Sequence, residues 1–105
     1  MIIRVDIDET ICKYEDEREY PKAVPIRERI DKINKLYDAG HTIVYWTARG
    51  SVTKKDWAEL TVMQLNEWGA KYHKVELGKP HYDLYIDDKS VNSELYFGAI
   101  EGETE

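Results

Sequence analysis

Short apolar runs alternate along the chain with longer amphipathic stretches. Three segments have a strong strand pattern: residues 1–5, His41–Tyr45 and Tyr82–Ile86. A further strand is predicted to end at or near Val75–Gly78. Runs of this length, rich in apolar, aromatic and β-branched residues and bounded by polar positions, are typical of β-strands. The chain is therefore expected to contain a sheet whose strands are separated by helices.

Two of the intervening stretches have apolar residues at helical spacing. In the first, Pro25 stands where proline is well tolerated at a helix start, and Gly40 provides a stop. Its apolar face consists of Ile26, Ile30, Ile33 and Tyr37. The second follows Thr53–Asp56, which resembles a capping box, and stops at Gly69. One of its sides carries Trp57, Leu60, Gln64 and Trp68.

A short helix or turn is predicted from Asn92 to Phe97. It is followed by an acidic tail, residues 99–105, which contains Glu101, Glu103 and Glu105 and is expected to be frayed. Strands that alternate with helices predict an α/β fold over residues 1–105, as a single domain. The expected architecture is a three-layer, Rossmann-like parallel sheet flanked by helices on both faces.

Polar residues that can carry chemistry lie at or near the predicted strand ends. In chain order they are Asp6, Asp8, Thr47, Lys79, Asp87 and Asp88. Because ligand sites in open α/β sheets lie outside the carboxyl ends of the strands, we expect these side chains to meet there. Asp6 and Asp8 are two residues apart, so the chain must curl after Asp6 if both are to serve one site. Two such close carboxylates repel each other unless a cation or a proton lies between them, and a hard divalent cation fits best.

Composition limits the classes of function. The 105 residues carry a formal net charge of −6, which argues against sequence-independent binding to nucleic acid, since that depends on basic contacts to phosphate. No run approaches the roughly 20 apolar residues of a membrane helix, and the first residues do not have the features of a secretory signal. The single cysteine, Cys12, cannot form an internal disulfide. We therefore expect a cytoplasmic protein without a membrane partner.

The order of these residues resembles the four motifs of the haloacid dehalogenase superfamily of phosphohydrolases. Those motifs run Asp-x-Asp-x-Thr, Ser/Thr, Lys and a paired acid, and the likeness spans Ile2 to about Asn92. More narrowly, Thr47–Gly50 and Tyr82–Lys89 resemble the small, capless members known as capsule- or polysaccharide-biosynthesis phosphatases. Glu9 replaces the glycine that is common in the superfamily at that position.

The resemblance implies a phosphomonoester hydrolase that works through an aspartyl-phosphate. Asp6 would be the nucleophile that attacks phosphorus. Asp8 would be the general acid that protonates the leaving oxygen, and then the base that activates water. Thr47 would hydrogen-bond a phosphoryl oxygen, and Lys79 would offset negative charge. Taken singly, these residues have plainer interpretations: a metal ligand, a turn aspartate, a strand threonine and a loop lysine.

The implied cofactor is Mg²⁺, because the candidate ligands are oxygens and the chain has no Cys/His cluster. The metal ligands would be Asp6, Asp8 through its backbone carbonyl, and one or both of Asp87 and Asp88, directly or through water, with Asp88 favoured as the direct ligand. Substrate-binding positions would be Thr10, Ala48, Arg49 and Asn92. Arg49 is suited to a bidentate clamp on the distal part of the substrate. The narrower likeness implies a sugar phosphate or a related small metabolite.

The spaces between the motifs hold little beyond one helix each, so no cap domain fits. Residues 13–22 are either a solvated charged loop or a flap over the site, which the superfamily has after its first motif. Without a cap, water exclusion must come from this flap, from a neighbouring subunit or from a large substrate. Homo-oligomerisation is thus one of three expectations.

Two other functions remain open. One is a non-catalytic metal-binding or interaction domain on the same fold. The other is a phosphotransferase or phosphomutase, because an aspartyl-phosphate can pass its phosphoryl group to another hydroxyl. A dehalogenase would not need Asp8 or the acids at 87 and 88. A receiver domain would have its acid pair first and its lysine last, whereas here the second acid pair follows Lys79.

Overall fold

The computed structural model describes the backbone of residues 1–103 and the side chains of residues 1–98. Its strands are β1 (Ile2–Val5), β2 (Cys12–Lys13), β3 (Val24–Pro25), β4 (Thr42–Trp46) and β5 (Lys74–Glu76). Its helices are α1 (Arg27–Asp38), α2 (Ala58–Glu67) and α3 (Ser93–Glu103), together with a short 3₁₀ turn at Tyr20–Lys22. None of the helices in this described part is both long and apolar enough to cross a membrane.

The main sheet is parallel, with the strand order β1-β4-β5. Val5 is aligned with Tyr45, and Tyr45 with Val75. Because β4 is the central strand, its consecutive residues Ile43, Val44 and Tyr45 are all buried. The predicted α/β class, a parallel sheet flanked by helices, is therefore confirmed.

The apolar core lies on one face of this sheet. By register, this face carries Ile3, Val5, Ile43, Tyr45 and Val75, which pack with Ile30 and Ile33 of α1, Leu65 of α2 and Phe97 of α3. The connection from β1 to β4 contains α1, the connection from β4 to β5 contains α2, and both run in the same direction across the sheet. Because such connections are right-handed, α1 and α2 lie on the same face of the sheet. The predicted third layer is not found in the described residues. The opposite face, which we call the outer face, bears Arg4, Trp46, Lys74 and Glu76.

The start of the first helix differs from the prediction. Pro25 does not open α1 but belongs to β3, where it pairs with Cys12. The Ile26 N–H donates to the carbonyl of Ile11 at 2.8 Å, which keeps the chain extended, and α1 begins at Arg27. Gly40 follows the helix with φ +100°, as expected for a glycine stop.

The second helix also begins later than predicted. Thr53 is not its cap; α2 begins at Ala58, whose N–H donates to Asp56 Oδ1 at 2.9 Å. An aspartate just before the first turn accepts this otherwise unpaired donor, so the acid of the predicted capping box acts alone. Gly69 has φ +71° after the helix, in agreement with the predicted stop.

The prediction of a strand at Tyr82–Ile86 is wrong for this structure. Within the described chain the segment belongs to no sheet, and Leu84 and Ile86 are 76% and 87% exposed. A strand needs a hydrogen-bonded neighbour, and here the segment has none among the described strands. α3 is longer than predicted and continues to Glu103, so most of the tail expected to be frayed is helical, while residues 104 and 105 lie outside the described range.

Candidate active site

Asp6 lies just beyond the carboxyl end of β1. The chain then turns, with the N–H groups of Thr10 and Ile11 donating to the carbonyl of Ile7 at 3.1 and 2.9 Å. This turn brings the Thr10 hydroxyl to Asp6, where it donates to Oδ2 at 3.1 Å. The other carboxylate oxygen, Oδ1, lies 3.6 Å from Lys79 Nζ. Since 37% of the Asp6 side chain is exposed, the carboxylate is held from two sides and is still accessible.

The same turn places Glu9 in the left-handed region, with φ +63°. This conformation carries a steric cost for residues other than glycine. Backbone geometry thus gives a reason for the glycine that is common here in the superfamily whose motifs the sequence resembles. In this chain a glutamate adopts the strained conformation at the same position.

The ends of β4 and β5 fix Lys79 opposite Asp6. Thr47 N–H donates to the carbonyl of Glu76 at 3.0 Å, and Lys79 N–H donates to the carbonyl of Thr47 at 3.1 Å. Thr47 is buried, and its hydroxyl oxygen accepts from Arg49 N–H at 3.1 Å. The hydroxyl keeps its own proton, which it can donate to another oxygen. Asp6, Thr10 and Lys79 therefore converge as the sequence predicts, and Thr47 is joined to Lys79 through its backbone.

Asp8 lies in a different environment, in a buried ion pair with Arg49. The guanidinium binds both carboxylate oxygens, with Nε 3.0 Å from Oδ2 and Nη2 2.8 Å from Oδ1. The Tyr14 hydroxyl also donates to Oδ1, and the Cys12 thiol lies 3.6 Å from the same atom. Burial raises the pKa of Asp8, but the bonds from Arg49 and Tyr14 outweigh burial and hold this pKa below its ordinary value. Burial raises the pKa of the Cys12 thiol to about 12.

Arg49 does not act as the predicted clamp on a substrate. Its side chain is fully buried, and besides Asp8 it donates to Thr61 Oγ1 at 3.2 Å and to Gln64 Oε1 at 2.6 Å. The N–H groups of this guanidinium donate to buried acceptors on three residues. It therefore has no pair of donors left for bidentate binding of a ligand. Asp8, in turn, is an ionised acceptor in this arrangement. It can donate a proton only after it takes one up and loosens its bond to Arg49.

The segment 13–22, predicted as either a solvated loop or a flap, connects β2 to β3. Its middle, residues 15–19, is exposed. Both ends are anchored on the Asp8–Arg49 pair: Tyr14 bonds to Asp8, and the Tyr20 ring lies 4.7 Å from the Arg49 guanidinium. Gln64 Nε2 also donates to the Tyr20 carbonyl at 2.7 Å. Sequence reasoning assigned Tyr14 no role, and its only signal was an aromatic residue inside a charged run.

The second acid pair lies apart from this cluster. Asp87 accepts from Tyr85 OH at 2.9 Å and from Lys89 N–H at 2.8 Å, both within its own exposed segment. The Lys89 bond, followed by the Tyr85 bond, lowers the pKa of Asp87. Asn92 is not at the substrate position predicted for it but caps α3, accepting from Glu94 N–H at 2.9 Å. Within the described residues, no three His, Cys, Asp or Glu side chains are close enough to share a metal ion.

A cavity of about 400 Å³ opens between the loops that follow β4 and β5; Gly78 and Pro80, the sequence neighbours of Lys79, line it, whereas Lys79 and Asp6 do not. It is lined by Arg49, Gly50, Ser51, Lys54, Lys55, Leu77, Gly78, Pro80 and His81. Ser51 Oγ donates to the Lys79 carbonyl at 2.7 Å and joins the two loops, while Ser51 N–H bonds to the predicted substrate residue Ala48 through its carbonyl at 2.9 Å. Of the side chains that the structure describes, no acidic one lines this cavity, although the chain as a whole is acidic.

Comparison with known proteins gives a likeness of fold. No family model matches the chain, and no match was found among the curated proteins. The crystal structure of an MCSG target from Vibrio cholerae is similar, with a TM-score of 0.77 and 24% sequence identity. The similarity covers 98% of this chain and 99% of that chain. At this level of identity the likeness supports the α/β architecture and carries no information on activity.

Proposed function

We propose that this protein is a Mg²⁺-dependent phosphomonoester hydrolase of the haloacid dehalogenase type, without a cap domain, that works through an aspartyl-phosphate. The observation that carries the proposal is the environment of Asp6. This carboxylate lies outside the carboxyl end of a parallel strand, with a hydroxyl on one oxygen and a lysine ammonium near the other. That is the position at which open α/β sheets bind ligands.

The surroundings of Asp6 suit a nucleophile that attacks phosphorus. Lys79 offsets the charge of a phosphoryl group that approaches Asp6, so that two anions can come together. The Thr10 bond orients the carboxylate. The Thr47 hydroxyl, which is buried in this structure, would donate its proton to a phosphoryl oxygen. Attack by an Asp6 oxygen forms a carboxyl–phosphate bond and breaks the bond to the leaving alkoxide, which takes a proton from a general acid. Asp8 performs that step only in a state in which it has been protonated.

The predicted magnesium ligands fit the ion in chemistry but are not gathered within one chain. Carboxylate and carbonyl oxygens are the donors that Mg²⁺ prefers, and the ion would neutralise charge on the phosphoryl oxygens. Asp6 and the Asp8 carbonyl would supply two ligands. Asp87 and Asp88 would have to approach them to complete the set.

The cavity between the loops that follow β4 and β5 is the proposed place for the rest of the substrate. Its charged or titratable lining residues, Lys54, Lys55 and His81 among them, are basic, so its field favours an anionic or strongly polar group. A sugar phosphate with a further carboxylate or phosphate fits this lining, and we propose this substrate class for a role in polysaccharide biosynthesis.

Phosphate release from a panel of sugar phosphates and aryl phosphates, with and without Mg²⁺, tests the proposal. Asp6→Asn should lose turnover by about 10³-fold or more, since loss of a nucleophile removes the covalent route. Asp31→Asn, which changes an exposed acid on α1, is the matched control and should keep full activity. Intact-protein mass spectrometry after an acid quench should detect a phosphoryl adduct in the parent protein and none in Asp6→Asn. Full activity in excess chelator, or normal turnover by Asp6→Asn, would overturn the proposal.

A further inference from the structure

The outer edge of β1 has no partner strand among the described residues. β1 is the first strand in the order β1-β4-β5, so the N–H and C=O groups that point away from β4 are not paired in a ladder. Ile2, on this strand, is 76% exposed. Unpaired edges of this kind are templates for another strand, and natural proteins usually cover or block them.

The same chain contains a strand-like segment that pairs with no strand of the described chain. Residues 82–88, which we call the acidic arm, alternate apolar and polar residues, and Leu84 and Ile86 are largely exposed. The arm carries three carboxylates, Asp83, Asp87 and Asp88, whereas the charged residue of β1 is Arg4. Edge and arm are therefore complementary in backbone hydrogen bonding, in apolar pattern and in charge.

A register with Asp87 beside Asp6 satisfies both faces of the sheet and places the arm along the whole of β1. If the arm lies parallel to β1 with Asp87 beside Asp6, then Ile86 and Leu84 lie beside Val5 and Ile3, on the face that carries the core. Tyr85 then lies beside Arg4 on the outer face, with the acids Asp83 and Asp87 diagonal to it. A slip of one residue would exchange the two faces and bury Asp87 instead of Ile86.

The arm cannot take this place on its own chain. Lys79 is fixed beyond the end of β4 by its bond to Thr47, and Asp83 would have to lie beside Ile2 at the other end of β1. Between Lys79 and that position of Asp83 the chain would have to cover roughly 16 Å along the strand direction and about 14 Å, or three strand spacings, across the sheet. The straight-line separation of the two residues is therefore about 21 Å. The four residues from Lys79 to Asp83 span at most about 14 Å. An antiparallel arrangement fits the reach, but it would carry Asp87 and Asp88 away from Asp6.

We propose that two copies of this chain associate by exchanging their C-terminal segments, so that the acidic arm of each adds as a parallel strand to β1 of the other. Only residues 89–92 separate the arm from α3, so α3 moves with it. The contacts that α3 makes in this structure, including the Arg29–Glu94 ion pair at 3.1 Å and the packing of Phe97 against Arg29, are then made between chains. An exchanged element keeps its contacts, so the exchange costs little energy.

The exchange would also complete the site. It brings Asp87 and Asp88 of one copy to the carboxyl end of the other copy's β1, next to Asp6. The acids that lie apart within one chain then become neighbours between two chains. This consequence and the parallel direction of the arm rest on the proposed function, whereas exposure, the alternating pattern and reach support the exchange once that direction is given.

A disulfide between chains tests the exchange without any assay of activity. In the proposed register Ile2 and Asp83 lie side by side on the outer face of neighbouring strands, at a Cα separation that a disulfide accepts. The Ile2→Cys/Asp83→Cys double variant, oxidised at low concentration, should run as a covalent dimer on a non-reducing gel. Ile2→Cys/Leu84→Cys is the matched control; its cysteines point to opposite faces, so it should form no crosslink and should run at the monomer mass on the same non-reducing gel. A disulfide within one chain, no disulfide at all, or a parent protein of monomer mass by light scattering would overturn the exchange.

A longer hinge gives an independent test. Insertion of about eight Gly/Ser residues between His81 and Tyr82 extends the reach by more than about 20 Å, enough for the arm to close on its own chain. The insertion variant should shift from dimer to monomer in light scattering, while an insertion of the same length between Glu15 and Asp16 should leave the dimer unchanged. An insertion variant that remains a dimer would contradict the reach argument.

Mixed dimers connect the exchange to the site. Asp6→Asn and Asp87→Asn/Asp88→Asn chains, each inactive alone, should regain activity when they are unfolded together and refolded. Random pairing gives one intact site in half of the dimers, or about a quarter of parent activity. No recovery in a mixture whose parent protein is active would overturn the shared site. A parent protein that is inactive but forms the Ile2→Cys/Asp83→Cys crosslink would overturn the proposed function alone.

Discussion

Asp6 and Asp8 are separated by a single residue, yet their environments are opposite. Asp6 is accessible and is held loosely by a hydroxyl and by an ammonium at 3.6 Å. Asp8 is buried and is bound by a bidentate guanidinium and a phenol. The difference arises from the turn after β1, which leaves one carboxylate outside the sheet and sends the other among α2 and the β2–β3 loop. When two carboxylates are placed in such different environments, the assignment of their roles follows from those environments.

The largest expected effect separates activity from stability. Asp6→Asn should lower turnover by about 10³-fold or more, whereas its free energy of unfolding should change by less than about 1 kcal/mol, because the Lys79 pair is partly solvated. Asp8→Asn should lower the free energy of unfolding by several kcal/mol, since it leaves Arg49 buried without its counter-ion. Urea unfolding and phosphate release, measured on both variants, test the contrast. Equal losses of stability would show that the two environments do not differ in energy.

The next effect comes from the other partner of the buried pair. Arg49→Met removes the guanidinium and leaves the Asp8 carboxylate buried, which should cost about 3–5 kcal/mol of unfolding free energy. The double variant Asp8→Asn/Arg49→Met should recover part of that loss, because no uncompensated charge remains. Lys55→Met, an exposed cation, is the control and should change stability by less than about 0.5 kcal/mol. A double variant less stable than either single variant would contradict this interpretation.

A smaller effect concerns pH. The folded state holds the pKa of Asp8 below its ordinary value of 3.8, so this group stabilises the fold above that pH. The contribution is lost as pH falls through the lower, folded-state pKa. Unfolding free energies of the parent protein should therefore fall more steeply below about pH 4 than those of Asp8→Asn/Arg49→Met, and the two should run parallel between about pH 5 and 7. Parallel curves down to about pH 2.5 would argue against the ion pair.

The smallest effect lies between the two aspartates, at Glu9. A β-branched residue is strained at positive φ, so Glu9→Val should destabilise the turn by about 1–2 kcal/mol. Glu9→Gly should be neutral or slightly stabilising, since glycine adopts this conformation freely. Thermal unfolding of the two variants gives the comparison, and a Glu9→Val variant as stable as Glu9→Gly would mean that the turn relaxes.

The sequence predicts the Asp6 half of the site well, because that half depends on strand ends. β1 and β4 are predominantly apolar runs, and residues directly after parallel strands meet at one edge of a sheet. The Asp8 half was not predicted. Arg49 lies 41 residues from Asp8, and nothing in its local pattern distinguishes a guanidinium that binds a substrate from one that binds a buried carboxylate.

The segment at Tyr82–Ile86 shows a different limit. Its pattern is that of a strand, and the pattern remains valid as a preference. Whether a strand forms depends on an available sheet edge, however. The edge that fits this segment is that of β1, and the few residues between Lys79 and the segment are too short to reach it within one chain. Pro25 is a related case, since proline is tolerated both at a helix start and at the border of a short strand. In both cases the local sequence allows two structures, and contacts distant in sequence decide between them.

The single thiol gives the Asp8 half of the molecule a built-in probe. Cys12 is fully buried, with a pKa of about 12, and it lies beside the Asp8 carboxylate. A thiol reagent can reach it only when this region opens, and only the thiolate reacts. The rate of alkylation, compared with that of a free thiol at the same pH, therefore reports how often the loop between β2 and β3 leaves the Asp8–Arg49 pair. Local opening of this part of the site can therefore be measured without the introduction of a label.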